Sequence, residues 1–380
     1  TTFAPETAAL DLFAAGLASP TSVNAPSTGP RADLAALTPA IIKSLTKWLK
    51  SKLIPTKQAC INLLDDLVAV QRGGLASYFD QIIEPIIDAV KTSAGSASSG
   101  LTSTTGNASA TAVTLRIAAL RLIGDIVKHH SSSVLQPYLS KIVVAVVSVA
   151  HDRFYKISGE AIQTAEELTK VITPPRARMT SQKFEGDLQK IYEVVIDRTT
   201  ANDADAEVRQ KAIHALGTLL ARTSGTDGSS LLPADKRKAA FDCLLERIKN
   251  ETTRLFAVRA VDTAAAMSQD TAQFDSQWVR EVVVELAAQL RKSNRALRGS
   301  SVMALKHLIL SPGSKGTLDQ VTVQNVVGAL IPVITNNDAQ LLGPGLLVLA
   351  HLVLEMPAVV MTPQLISALC HLLHGTVSGS

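Results

Sequence analysis

A basic residue recurs at intervals along this chain of 380 residues. Each copy stands three residues before a small side chain, near the start of an apolar stretch, and successive copies are 59, 40, 53, 45 and 44 residues apart. Tandem units of about 40–47 residues are typical of HEAT and armadillo repeats, in which each unit is built from paired helices. The spacing therefore predicts an all-α fold, a HEAT-repeat α-solenoid. The six basic positions are Lys57, Arg116, Lys156, Arg209, Arg254 and Arg298.

Apolar residues inside the units follow a helical period. Phe274, Trp278, Val282 and Leu286 step by four residues and form one stripe that a neighbouring helix must cover. These patterns predict seven helix pairs and half of an eighth within residues 35–375. The predicted pairs are 38–52 with 55–72, 75–92 with 111–130, 134–150 with 154–172, 182–199 with 205–222, 234–249 with 252–268, 273–291 with 294–310 and 319–335 with 338–355, followed by a final helix at 363–374.

The segments outside the helix pairs are rich in small and polar residues. Residues 1–34 mix Pro, Ser, Thr and Ala and are predicted to be a linker with one short helix at 6–16. Residues 93–110, rich in Gly, Ser and Thr, are predicted to be a disordered loop insert, because they cannot bury enough apolar surface to order themselves. Residues 376–380 form a short tail. The first residue is not Met, so we expect a fragment of a longer protein.

Composition narrows the classes of function. Hydrophobic residues make up 46% of the chain but aromatic residues only 4%, which favours aliphatic helix packing over a β-sandwich. The 37 basic and 33 acidic side chains are interspersed, whereas nucleic-acid binding needs clustered Lys and Arg. The longest apolar runs are far shorter than the ~20 residues that span a bilayer. We therefore expect neither a nucleic-acid partner nor a membrane partner.

The sequence contains no complete set of catalytic or metal-binding residues; Ser44–Lys47 matches the S-x-x-K pattern of acylating serine enzymes, but the other motifs of that class are absent. His371 and His374 lie three residues apart, and His351 lies on the preceding predicted helix, but no Cys or carboxylate completes a ligand set nearby. Cys60, Cys243 and Cys370 are widely separated, so we expect buried free thiols. The chain is accordingly predicted to have no catalytic residue, no metal and no cofactor, and not to be an enzyme.

An Asp or Asn stands four residues before the basic position in four of the units and is predicted to cap the second helix. The basic residues themselves have two interpretations. Each one pairs with an Asp or Asn of the neighbouring repeat, or the whole row meets an acidic partner. The predicted caps are Asp152, Asp205, Asn250 and Asn294.

Positions five residues after the basic ones are the better candidates for partner contacts, because they alternate with core positions on the second helices. We predict partner binding at four of these positions. They are Arg121, His214, Arg259 and Met303.

The amino-acid sequences of several repeats are similar to those of a known family. Four segments resemble the central HEAT repeats of the cullin-associated, neddylation-dissociated (Cand) family. They are HDRFYKISGEA at 151–161, NETTRLFAVRA at 250–260, LRKSNRALR at 290–298 and IKSLTKWLK at 42–50. The resemblance continues in order through 35–375.

This resemblance implies a function. The parent would be a non-catalytic scaffold, a monomer of cytoplasm and nucleus, that wraps an un-neddylated cullin with its RING subunit and lets substrate receptors exchange. Cullin–RING ubiquitin ligase assembly would thereby be regulated. In that family the main contacts with cullin are attributed to the two ends of the full-length protein, and this chain corresponds to the middle part.

Two alternatives remain open from the sequence. One is a nuclear-transport receptor, another HEAT-repeat protein, for which we expect acidic inner rows and interleaved Trp and Asn. Trp48 and Trp278 both fall in predicted first helices instead. The other alternative is an enzyme with an unrecognised site in a deep polar pocket.

Overall fold

The structure is a computed structural model that describes residues 30–92, 105–174, 183–224, 231–267 and 274–377. Every regular element in these ranges is helical, so the predicted all-α repeat fold of helix pairs is confirmed. Second helices from the third pair on begin 41–51 residues apart. The helices are α1 (Pro30–Leu49), α2 (Ile54–Gln71), α3 (Phe79–Val90), α4 (Thr105–His129), α5 (Ser132–Leu135), α6 (Leu139–Ser148), α7 (Tyr155–Ile172), α8 (Glu185–Thr200), α9 (Ala206–Arg222), α10 (Ala234–Lys249), α11 (Arg254–Ala266), α12 (Ser276–Gln289), α13 (Arg295–Leu310), α14 (Gln320–Thr335), α15 (Leu342–Glu355), α16 (Pro357–Val360) and α17 (Pro363–Val377).

The chain divides into two compact units. Unit 1 comprises Thr1–Thr180 with Gly186–Val194, and unit 2 comprises Ser181–Glu185 with Val195–Ser380. In unit 1 the first helices α1, α3 and α6 pack side by side in one layer, and the second helices α2, α4 and α7 form the other layer. In unit 2 the layers are α10, α12, α14 and α17, and α9, α11, α13 and α15. Each unit buries its apolar stripes between its two layers.

Small residues let the second helices of unit 2 approach each other closely. Ala212 on α9 and Ala257 on α11 have no exposed surface, and Ala260 is only 3% exposed. A Cβ atom placed on Gly217 of α9 would lie 2.8 Å from the Cα atom of Ala260. Ridges of α9 therefore fit into grooves of α11 so closely that the two backbones are in contact. At position 217 only glycine fits.

An aromatic cluster fills the space between α10 and α12. The ring of Trp278 packs against Phe241 at 4.7 Å and Phe274 at 5.8 Å, measured between ring centroids. Its Nε1 donates a 2.8 Å hydrogen bond to the backbone oxygen of Phe241. The guanidinium of Arg237 lies 5.1 Å from the Phe241 ring, and burial lowers its pKa to about 10. Trp278, at 4% exposure, is a core residue rather than a contact residue.

The predicted caps divide into two kinds. Asp205 accepts from the backbone nitrogen of Glu207 and caps α9, and Asn294 accepts from Leu297 and caps α13, as expected. Asp152 and Asn250 do not cap: they accept from nitrogens two residues on, within the preceding turn. The reason is that α7 and α11 begin at Tyr155 and Arg254, one and two residues later than predicted, so Asp152 and Asn250 lie too far before the first turn to cap it.

Each predicted helix of the pairs is present, with differences at the ends. Helix α4 begins at Thr105, so the last six residues of the predicted insert 93–110 are helical, and α1 begins inside the predicted linker 1–34. Helix α17 extends to Val377. The short helix predicted at 6–16 lies outside the described residues. Cys60 and Cys243 are buried free thiols, whereas Cys370 is exposed because it lies on the outer side of α17.

The contact between α9 and α11 can be tested with a glycine substitution. Gly217→Ala should lower the free energy of unfolding by about 2 kcal/mol, because the added methyl group meets the backbone of Ala260. Gly328→Ala, at a helical glycine of unit 2 with no atom within 4 Å, should stabilise by ~0.5–1 kcal/mol. Urea unfolding followed by circular dichroism measures both. Equal effects at the two sites would contradict the close approach.

Candidate interaction surface

Two of the recurring basic residues link one repeat to the next. The Nη2 atom of Arg116 on α4 lies 2.8 Å from Oδ2 of Asp152, in the turn of the following repeat. Its Nε also donates a 3.1 Å hydrogen bond to the Val90 oxygen. Arg298 on α13 lies 3.9 Å from Asp338 of the following repeat. At these positions the structural interpretation of the basic row is correct.

Two other recurring basic residues bind backbone oxygens instead. This corrects the expectation that each one pairs with an Asp or Asn side chain of the neighbouring repeat. Arg209 donates from Nη2 to the Ala201 oxygen at 2.7 Å, and Arg254 donates from Nε to the Ile248 oxygen at 2.8 Å. Both oxygens lie at the carboxyl end of the first helix of the same repeat, where carbonyl groups have no intrahelical donor. A cation there also interacts favourably with the helix dipole.

The four candidate contact residues all lie on second helices. Arg121 on α4 forms a 2.8 Å ion pair with Glu160 on α7, and its side chain is still 65% exposed while that of Glu160 is 10% exposed. In unit 2, Arg259 on α11 donates a 3.3 Å hydrogen bond to Ser300 on α13. His214 on α9 is exposed, and Met303 on α13 is half-buried. Three of the four positions are therefore open to a partner.

One polar contact between second helices was missed in the sequence. Nδ1 of His307 on α13 lies 2.5 Å from Oδ1 of Asp262 on α11, and each side chain is 30% exposed. The separation of 45 residues equals one repeat and could have identified the pair. Together with Arg259 and Ser300 it places two polar contacts between α11 and α13 in unit 2. We call the polar side of the second helices within one unit, α4 in unit 1 and α9, α11 and α13 in unit 2, the second-helix face of that unit.

A pair of carboxyl groups lies between α2 and α4 of unit 1. Burial, the charge of Asp125 and a hydrogen bond with Asp125 raise the pKa of Asp65 to about 6. Asp66 acts in the same direction, and His129 opposes it. Lys128 also faces this group, with its Nζ 3.6 Å from Asp125. The Asp65 carboxyl group therefore keeps its proton up to about pH 6, where it is hydrogen-bonded to Asp125 of the next repeat.

An open groove of about 620 Å³ lies beside α1, α2 and α3. Its charged lining residues are of both signs, Lys50 and Lys57 against Asp80, Glu84 and Asp88. Across the described ranges, no three or more His, Cys, Asp or Glu residues are grouped so as to hold a metal ion. The helices in those ranges also include none with the length and apolar character needed to cross a bilayer.

Comparison with known proteins decides the family. A family model described as CAND1-like, TPR repeats matches residues 31–216. A protein of Emericella nidulans, "Cullin-associated NEDD8-dissociated protein 1, C-terminal part", is 42% identical over 364 residues, which is 96% of this chain and 34% of that protein. This chain belongs to the Cand family. The Cand proteins of Drosophila melanogaster and Mus musculus are 26% and 29% identical, and the chain covers 23% and 22% of their lengths.

This Cand chain therefore spans about a third or less of the length of these relatives. Among solved structures, the crystal structure of Kap121p bound to Nup53p is similar with a TM-score of 0.52 and 12% identity, over 90% of this chain and 31% of that one. At this identity the likeness shows the fold alone.

The ion pair between α4 and α7 of the Cand chain can be measured by a double-mutant cycle. Arg121→Ala, Glu160→Ala and the double variant should give a coupling of about 1 kcal/mol, a value discounted because the arginine is mostly exposed. The matched control is Lys238 with Asp242, an exposed pair on one helix, which should give a smaller coupling. Urea unfolding is the measurement. Equal couplings would mean that Arg121 does not tie the repeats together.

The Asp65 carboxyl group predicts a pH dependence of stability. Its folded pKa of about 6 lies above that of the unfolded chain, ~4, so its contribution is complete below pH ~4 and is lost as the pH rises through 6. Asp65→Asn should therefore stabilise the protein at pH 7.5 and change little at pH 4. We expect about 1 kcal/mol, after allowing for solvent around a half-buried carboxyl.

Urea unfolding at the two pH values checks this expectation, with Asp88→Asn, at an exposed position on α3, as the control. The same gain at pH 4 as at pH 7.5 would contradict the raised pKa of Asp65.

Proposed function

We propose that this chain is a non-catalytic scaffold segment of a substrate-receptor exchange factor, one that binds un-neddylated cullin and its RING subunit. Through this binding the parent protein would regulate the assembly of cullin–RING ubiquitin ligases. The 42% identity over 364 residues to a protein named for cullin association carries the proposal. We further propose that the parent acts as a monomer, in cytoplasm and nucleus, without contact to nucleic acid or membrane.

The helix layers suit a binding role. Each unit presents second helices side by side, and their outward positions carry polar side chains on a rigid apolar core. Repeat proteins of this kind offer extended surfaces for macromolecules. If the scaffold and a receptor adaptor bind cullin at the same time, at overlapping or strained positions, each lowers the affinity of the other for cullin. By thermodynamic reciprocity, each then promotes the departure of the other.

The nuclear-transport alternative receives less support. It requires tryptophans that are available to a peptide, but Trp278 is buried and uses its Nε1 in a hydrogen bond to Phe241. Trp48 is 53% exposed but belongs to the first helix α1. The likeness to Kap121p extends to fold alone, so it does not favour this function.

Gel filtration of the full-length parent tests the proposal. Mixed with an unmodified cullin and its RING subunit, the protein should co-elute as one complex, and with the neddylated cullin it should elute separately. Separate elution from the unmodified cullin would refute the proposal.

The second-helix face gives a sharper prediction. Arg259→Glu in the full-length protein should weaken cullin binding about 3- to 10-fold, because it reverses an exposed charge on that face. Lys190→Glu, an equal charge change at an exposed position on the first helix α8, should leave the affinity within about 2-fold. Surface plasmon resonance measures both. Hydrogen exchange should show protection on second helices, and protection limited to first helices would refute this assignment.

A further inference from the structure

The turn between α6 and α7 exposes two aromatic rings between two cations. Phe154 is 36% exposed and Tyr155 is 42% exposed, so two neighbouring aromatic side chains are both accessible to solvent. The guanidinium of Arg153 lies 5.0 Å from the Phe154 ring centroid, and Nζ of Lys156 lies 5.9 Å from that of Tyr155. Each ring therefore has a positive charge beside it.

The turn between α1 and α2 has the same composition. Trp48 is 53% exposed and Leu53 is 65% exposed, and Nζ of Lys47 lies 5.9 Å from the Trp48 ring centroid. Lys50 and Lys52 complete the turn, and both are exposed. We call the segments 47–53 and 153–156 the basic-aromatic turns.

Both turns lie along one edge of unit 1. Each joins a first helix to the second helix of the same repeat, and the first helices α1, α3 and α6 form one layer while α2, α4 and α7 form the other. Connections that cross between the layers in the same direction lie at the same side of a two-layer stack. The rings and cations of both turns are therefore presented along a common edge.

Hydrogen bonds fix the shape of these turns before any partner binds. Asp152 accepts from the backbone nitrogen of Phe154 at 2.9 Å, and its other oxygen pairs with Arg116 on α4. In the first turn, Ser51 Oγ accepts from the backbone nitrogen of Leu53 at 3.1 Å. A surface held in this way loses little conformational entropy on binding.

The cations of the two turns are not engaged in ion pairs within the part of the chain that the structure describes, although Lys50 also lines the open groove with Asp80, Glu84 and Asp88. Lys47, Lys50, Lys52, Arg153 and Lys156 form no ion pair there, although many other Lys and Arg residues of the chain do. Three corresponding turns of unit 2 carry acidic residues instead, 201–205 with Asp203 and Asp205, 250–253 with Glu251, and 336–340 with Asp338. The turn 290–294 carries Arg291 and Lys292 but has no aromatic residue.

We propose that the basic-aromatic turns bind an acidic polypeptide segment of a partner protein, in which carboxylates alternate with apolar side chains. The unpaired cations would take the carboxylates, and the exposed Trp48, Phe154 and Tyr155 would take the apolar groups. Aromatic residues and arginine are the residues that dominate binding energy at protein interfaces. The proposal does not depend on the proposed function, since neither its residues nor its test involves cullin.

A nucleic acid fits this edge less well. Proteins that bind single-stranded nucleic acid use the free faces of aromatic rings, on which bases stack, in a groove lined by many cations. Here each ring has the cation of an adjacent residue 5.0–5.9 Å from its centroid, and two short turns supply five Lys and Arg side chains without an ion pair. Carboxylates need fewer cations and can bind the arginine through two oxygens.

Fluorescence anisotropy with the full chain tests the proposal. The probe is a fluorescein-labelled peptide of fifteen residues that repeats Glu-Asp-Leu. Arg153→Glu with Lys156→Glu should weaken binding at least about 10-fold, and Phe154→Ser with Tyr155→Ser should weaken it about 3- to 10-fold. Lys292→Glu with Lys315→Glu, the same charge change at exposed positions of unit 2, should change it less than about 2-fold.

Circular dichroism and the melting temperature establish that each variant is folded. Failure of the wild-type chain to bind the peptide would overturn the proposal, as would an equal loss in the unit 2 control. So would tighter binding of a single-stranded DNA oligomer of equal charge that is abolished by the same turn variants, because this outcome would assign the edge to nucleic acid. An effect of the charges without any effect of the rings would also overturn it.

Discussion

Close packing between neighbouring second helices is the interaction on which each unit depends. In unit 2 this contact brings the backbone of α11 against α9, with Gly217 facing Ala260. Large side chains at these positions would separate the helices and open both layers, because in unit 2 the first helices are joined to the second by turns of only a few residues. The same contact decides which side chains remain outside. The position five residues after the recurring basic one points away from the seam and is exposed in α4, α9 and α11.

Polar contacts between repeats act on top of this apolar packing. Arg116 with Asp152, Arg298 with Asp338, and the Thr164 hydroxyl donating to the Leu120 oxygen at 3.0 Å each join successive repeats. Their individual contributions are on the order of 1 kcal/mol, whereas the aliphatic core buries dozens of side chains. Their role is therefore to fix the register of one repeat against the next. In both of these ion pairs the arginine precedes its acidic partner by about one repeat.

The helix pairs could be predicted because two sequence signals coincide, a four-residue apolar step inside each helix and a spacing of about one HEAT unit between helices. The family could be predicted from the amino-acid sequences of the repeats. The bonds of Arg209 and Arg254 could not, because a backbone carbonyl oxygen is present at every residue and leaves no mark in the sequence. Asp65 and Asp125 were missed for another reason. Their meeting depends on how α2 rotates against α4, and the spacing between two helices does not determine that rotation.

The two candidate surfaces differ in what a partner must displace. On the second-helix face of unit 1 Arg121 is paired with Glu160, and on that of unit 2 Arg259 is bonded to Ser300, so a partner that uses either group must break a contact that joins repeats. Binding there is therefore coupled to the contact between repeats. At the basic-aromatic turns of unit 1 the cations have no carboxylate to give up within the described residues. Binding at that edge therefore leaves the contacts between repeats undisturbed.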